Sequence, residues 1–88
     1  MDINELRLEI NSIDDQLLGL FERRMKIVRE IGLYKKEKAL PIRDLERERN
    51  VLDRLCGKTQ PELGEYVKSL FMNIMELSST YQKTQFTL

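Results

Sequence analysis

Histidine is absent from the 88 residues, and cysteine occurs once, as Cys56. Together these absences exclude a disulfide scaffold and the usual Cys/His zinc sites within one chain. They also remove the side chain most often used as a general base near neutral pH. Chemistry here must rest on carboxylates, or on no proton transfer at all. A charge of one sign is missing too. Fifteen basic and fifteen acidic residues cancel, so nothing global points to nucleic acid or an anionic membrane. No apolar run approaches the ~18 residues of a transmembrane helix. The N-terminal stretch MDINELRLE is acidic-polar rather than basic then apolar, unlike a signal peptide. The expected setting is the cytoplasm, with no metal and no cofactor. Proline and glycine are scarce, at two and four, beside 41% apolar and 34% charged residues. That balance fits a soluble helical protein better than a disordered one. Neither a repeat nor a linker splits the chain, so 1–88 reads as a single domain. It is small enough that a private core would be marginal and oligomerisation would help.

What is present is one long helical stretch. Asp2 followed by Glu5 matches a capping box, and the helix should run to about Lys38, before Pro41. Leu6, Ile10, Ile13, Leu17, Leu20, Arg24, Ile27, Ile31 and Tyr34 recur in steps of four and three, a heptad seam. Phe21 and Val28 widen that stripe, so more than one helix should pack on it. A helix of this length is roughly 55 Å long. A compact domain of this size has a radius of gyration of about 12 Å. The rod should therefore protrude from a monomer, and a second copy of the chain is the simplest cover. Gly19 and Gly32 weaken the helix by about 1 kcal/mol each relative to Ala, and close helix approach would account for them.

A loop around Ala39–Arg43 should precede a second helix over about Asp44–Cys56, with Leu45, Val51, Leu52 and Leu55 as apolar positions and Gly57 as its stop. Thr59, Pro61 and Glu62 read as the cap of a third helix. Its expected seam is Leu63, Val67, Leu70, Ile74, Leu77 or Ser78, and Tyr81, and its last few residues should fray. The fold class is all-α: long, short and medium helices.

Several polar residues sit where apolar ones belong. Arg24 interrupts the seam, and taken alone it reads as a snorkelling or register-setting arginine. Lys35 lies eleven residues on, returning to within roughly 20° about 16 Å along the helix. Two cations flanking Val28 and Ile31 make a cradle for a small anion with an apolar middle. Asp44, Arg47 and Glu48 share a face of the second helix that continues into Val51 and Leu55. The same pattern also fits a solvated, ion-paired surface. On the third helix Phe71, Met75, Ser78, Gln82 and Gln85 share a face that turns polar. It is either a fraying end or a hydroxyl and an amide aimed at the same pocket. Arg7 precedes Arg24 by about 25 Å and roughly 100° of rotation. It is either an ordinary exposed arginine or, in an antiparallel dimer, a group that reaches the partner's middle.

Read together, LRLEINSIDDQLLGLFERR, IGLYKK, LPIRDLERERNVL and LFMNIMELSSTYQ resemble the all-helical, AroQ-class chorismate mutases over essentially the full chain. The most specific piece is P-I-R-D-x-x-R-E-R. The resemblance implies an intertwined homodimer of three-helix chains that converts chorismate to prephenate in aromatic amino acid biosynthesis. Arg7 matches an arginine that crosses into the partner's site. Arg24 and Lys35 match the two cations of the first helix, with Lys35 near the breaking ether bond. Asp44, Arg47 and Glu48 match the second-helix cluster, in which Glu48 accepts the substrate hydroxyl and Asp44 acts through its backbone. Ser78 matches a carboxylate contact, and Gln82 the amide that joins Lys35 on the ether oxygen. Met75 and Ser79 depart from the pattern, being larger or more polar than expected. Two alternatives accompany this reading. One is an isochorismate-pyruvate lyase of the same fold, against which Glu48 speaks. The other is a non-catalytic helical dimerisation or regulatory module, which should have lost some of the eight polar residues.

Overall fold

The computed structural model describes residues 2–86. Helix α1 spans Ile3–Glu37. The Asp2 carboxylate accepts the Glu5 backbone N–H at 2.9 Å, satisfying one of the donors left open at a helix start. At the far end the Leu40 N–H donates to the Lys35 carbonyl at 2.8 Å and the Ala39 N–H to the Lys36 carbonyl at 3.2 Å. This paired closure places its pivot, Ala39, in the left-handed region at φ 56°. The pivot is usually glycine, because a Cβ there costs about 1–2 kcal/mol.

Helix α2 spans Leu45–Cys56, and Asp44 caps it by accepting the Arg47 N–H at 3.0 Å. Gly57 closes it with right-handed backbone, φ −74°, so its conformational freedom is not what ends the helix. The cap expected at Thr59 is not formed. Instead a 3-10 turn at Pro61–Leu63 follows Gln60, which makes no side-chain cap bond, and leads into α3, Gly64–Phe86. Pro61 has no N–H to cap, and the turn closes through the main chain alone, Leu63 N–H to Gln60 carbonyl at 2.9 Å. The described part of α3 stays helical through Phe86. Fraying at Thr87 and Leu88 falls outside the described residues.

Helix α3 packs against both α1 and α2. The contact is thin. Among the described residues only Val28 and Met75 are buried apolar side chains, joined by buried Ser79 and Gln82. Gly32 is buried as well, and an added Cβ there would lie 2.8 Å from the Phe86 ring and 3.0 Å from Gln82 Cγ. Close approach therefore explains Gly32. It does not explain Gly19, which has nothing within 4 Å. On α3 the expected seam holds in part: Val67, Ile74, Ser78 and Tyr81 are half-buried, and Phe71, Met75, Ser79 and Gln82 turn inward beside them, while Leu70 and Leu77 are each 52% exposed. In α2, Leu45 faces solvent, and Val51, Leu52 and Leu55 are half-buried.

The molecule measures 54 × 25 × 15 Å with a radius of gyration of 16.1 Å, against about 12 Å for a compact chain of this length. The difference is α1. Every residue from Asp2 to Leu20 is exposed, so the first half of the helix carries its apolar seam clear of its own chain.

Candidate active site

Where α1, α2 and α3 converge they enclose a cavity of about 270 Å³. The middle and last turns of α1 supply Arg24, Ile31 and Lys35, and the loop supplies Ile42. Asp44 with the first turns of α2 adds Arg47, Glu48 and Val51; α3 adds Met75, Ser78, Ser79 and Gln82. Seven of the eight polar residues singled out from the sequence thus line one cavity. The eighth, Arg7, does not; it is exposed on the projecting part of α1. Val28, expected between the two cations, is core instead and contributes its carbonyl.

Most of these polar groups are held by a neighbour. The Arg24 Nη1 donates to Ser78 Oγ at 2.6 Å, and Ser78 Oγ donates in turn to the Ile74 carbonyl at 2.8 Å. Among the described residues Arg24 has no carboxylate partner, and burial draws its pKa down from the ordinary value. The cost of desolvating that charge is left for an anionic ligand to offset. Lys35 Nζ donates to the Ile42 carbonyl at 2.5 Å, which uses one of its three donors. Gln82, only 5% exposed, donates one amide N–H to the Val28 carbonyl at 2.8 Å. Its burial rules out the fraying-end alternative for this residue, and its second N–H has no partner among the described residues. The Asp44 carboxylate is committed to the α2 cap.

Glu48 has a partner that periodicity did not show. Arg43, outside the cavity lining, grips both its oxygens, Nε to Oε2 at 2.8 Å and Nη2 to Oε1 at 2.7 Å. Its third nitrogen reaches Glu76 at 2.8 Å. These carboxylates raise the Arg43 pKa above its ordinary value, the Glu48 hydrogen bonds leading. Arg43 precedes the helix cap, so it shares no helical face with Glu48, and Glu76 lies 33 residues on. Only its place in the PIRD motif singled it out.

The cavity is therefore lined by three cations (Arg24, Lys35, Arg47) and two carboxylates (Asp44, Glu48), with Glu48 already neutralised from outside. Ile31, Ile42, Val51 and Met75 supply apolar wall. Such a space suits a small anionic molecule with an apolar body.

Residues 6–83 match the family described as chorismate mutase type II. The chain belongs to that family. Relatives include the bifunctional chorismate mutase/prephenate dehydratase of Buchnera aphidicola subsp. Schizaphis graminum, 38% identical over 84 residues, covering 93% of this chain and 22% of that protein. The bifunctional enzyme of the same name from Escherichia coli (strain K12) is 36% identical over 80 residues, covering 89% and 21%. The chorismate mutase of Methanocaldococcus jannaschii is 29% identical over 82 residues, covering 90% of this chain and 82% of that protein. The chain thus spans about a fifth of the bifunctional relatives' length. It is all-helical like the fold expected of the family, with no strand among the described residues, and no described helix is long and apolar enough to cross a membrane.

Proposed function

We propose that this chain rearranges chorismate to prephenate, as a single catalytic domain over 1–88, in a homodimer. The observation that carries the reading is the convergence of Arg24, Lys35, Asp44, Arg47, Glu48, Ser78 and Gln82 on one cavity, in a chain of the chorismate mutase type II family.

The rearrangement is concerted: a C–O bond breaks as a C–C bond forms, with no nucleophile, metal or obligatory proton transfer. Two tasks remain for the protein. One is to hold a flexible substrate in its reactive conformer. Arg24, with Ser78 at its side, suits one substrate carboxylate, because a guanidinium offers a planar fork. Ser78 turns its hydroxyl hydrogen from the Ile74 carbonyl to do so. Arg47 and the backbone at Asp44 border the same space, and Glu48 accepts the ring hydroxyl. The second task is to stabilise negative charge developing on the ether oxygen. Lys35, oriented by the Ile42 carbonyl, and the second N–H of Gln82 are placed for that task.

A second copy completes the reading. The seam residues Leu6, Ile10, Ile13, Leu17 and Leu20 are 42–56% exposed, on a chain whose apolar core among the described residues is Val28 and Met75. A partner helix covers that seam, and Arg7 rides on it into the partner's cavity, supplying the fourth cation for the substrate's second carboxylate. The proposed setting is the cytoplasm. The test is chorismate loss with prephenate detection, alongside a light-scattering mass. No turnover, or a monomer that turns over, overturns it.

A further inference from the structure

Three cations line the cavity that Glu48 faces. An unrestrained carboxylate in that position would be free to turn about its soft terminal torsion and to change rotamer toward one of them. It would then quench the charge that an anionic ligand needs. In the structure Arg43, which does not line the cavity, holds both oxygens instead. The geometry is the parallel two-bond fork that fixes the plane of a carboxylate. A carboxylate offers about four lone-pair sites, so two taken by Arg43 leave one on each oxygen for a donor inside the cavity. The remaining edge of the guanidinium is anchored on Glu76 of α3 at 2.8 Å, tying the first turn of α2 to the helix that carries Ser78 and Gln82. Glu76 is the solvent-facing end of this arrangement: its side chain is 65% exposed, against 20% for Glu48.

We propose that Arg43 is a positioning residue for Glu48. It sets the plane of the carboxylate, and it keeps that carboxylate off Arg24, Lys35 and Arg47 so that they stay free for substrate. This rests on the reading that Glu48 accepts the substrate hydroxyl. A lysine at this position restores the charge but makes a single point contact, so it restores only part of the function.

The test is a double-mutant cycle on the full chain with chorismate as substrate, with circular dichroism and melting to follow the fold. Arg43→Ala is expected to lower kcat/KM about 10- to 100-fold, with Arg43→Lys between it and the parent. In a Glu48→Ala background the same Arg43→Ala change is expected to cost less than about threefold, because there is nothing left to position. Equal costs in both backgrounds mean that Arg43 acts on the fold alone, and overturn the proposal. Full activity of Arg43→Ala beside a crippled Glu48→Ala overturns it while sparing the reading of Glu48. Full activity of Glu48→Ala removes that reading, and the role of Arg43 with it. If Arg43→Ala does not fold, Arg43→Gln replaces it in the cycle with the same expectations.

Discussion

The buried amide of Gln82 donates to the main-chain carbonyl of Val28 at 2.8 Å, joining α3 to α1 across 54 positions of sequence. The bond lies one helical turn from Gly32, and it fixes how the Gln82 side chain enters the cavity.

Gly32→Ala tests that arrangement. The new Cβ would meet the Phe86 ring at 2.8 Å and Gln82 Cγ at 3.0 Å. The ring can swing aside near the helix end, but Gln82 is tethered at its tip. We expect a loss of about 1–3 kcal/mol in denaturant unfolding, as for other overpacked sites. Turnover should fall by more than stability alone explains. Unchanged kcat would show that Gln82 tolerates the shift.

Lys35→Ala removes the cation proposed to face the ether oxygen. Deleting one such preorganised donor typically costs about 10²–10³ in kcat. Among the described residues Lys35 makes one side-chain hydrogen bond, to the Ile42 carbonyl, so the fold should survive. A well-folded Lys35→Ala protein with parental turnover would sink the proposed mechanism.

Arg7 gives a test of the shared site. Arg7→Ala and Lys35→Ala chains should each be nearly inactive as homodimers. Co-expressed or refolded together in equal amounts, they form a mixed dimer in which one site has both groups intact and the other has neither. With half of all dimers mixed and one good site in each, the mixture should reach about a quarter of parental activity per site. Activity no greater than the sum of the parents would confine each site to one chain.

Ala39 offers a stabilising change. Its φ of 56° is strained for a residue with a Cβ, and glycine relieves the strain at some entropic cost to folding. Ala39→Gly should raise stability by about 0.5–1 kcal/mol without altering kcat, read as a higher denaturation midpoint at constant m-value. A lowered midpoint would show that the loop favours alanine for another reason.

Much of the site was legible because helical geometry is periodic. Arg24 and Lys35 could be put on one face by counting residues, and Asp44, Arg47 and Glu48 likewise. What counting missed came from outside a helix or from the main chain. Arg43 sits before the α2 cap, and the carbonyls of Ile42 and Val28 have no sequence identity to betray them. On α3 periodicity offered two faces, an apolar seam through Leu70 and a mixed face through Phe71, Met75, Ser78 and Gln82; the mixed face is the one that turns inward, while Leu70 and Leu77 are exposed. Apolar spacing says which residues want cover, not whether the same chain provides it.

By itself the sequence determined three helices, their limits to within a residue or two at α1 and α2, and a first helix too long for its own chain. These follow from capping, proline placement and the 3.6-residue turn, all of which are local. Only the tertiary structure decided how α3 lies against α1 and α2. It showed which polar residues face one cavity and that Glu48 is held by Arg43. Those depend on contacts between residues 5 to 54 positions apart, whose geometry is set by packing three helices together rather than by any one stretch.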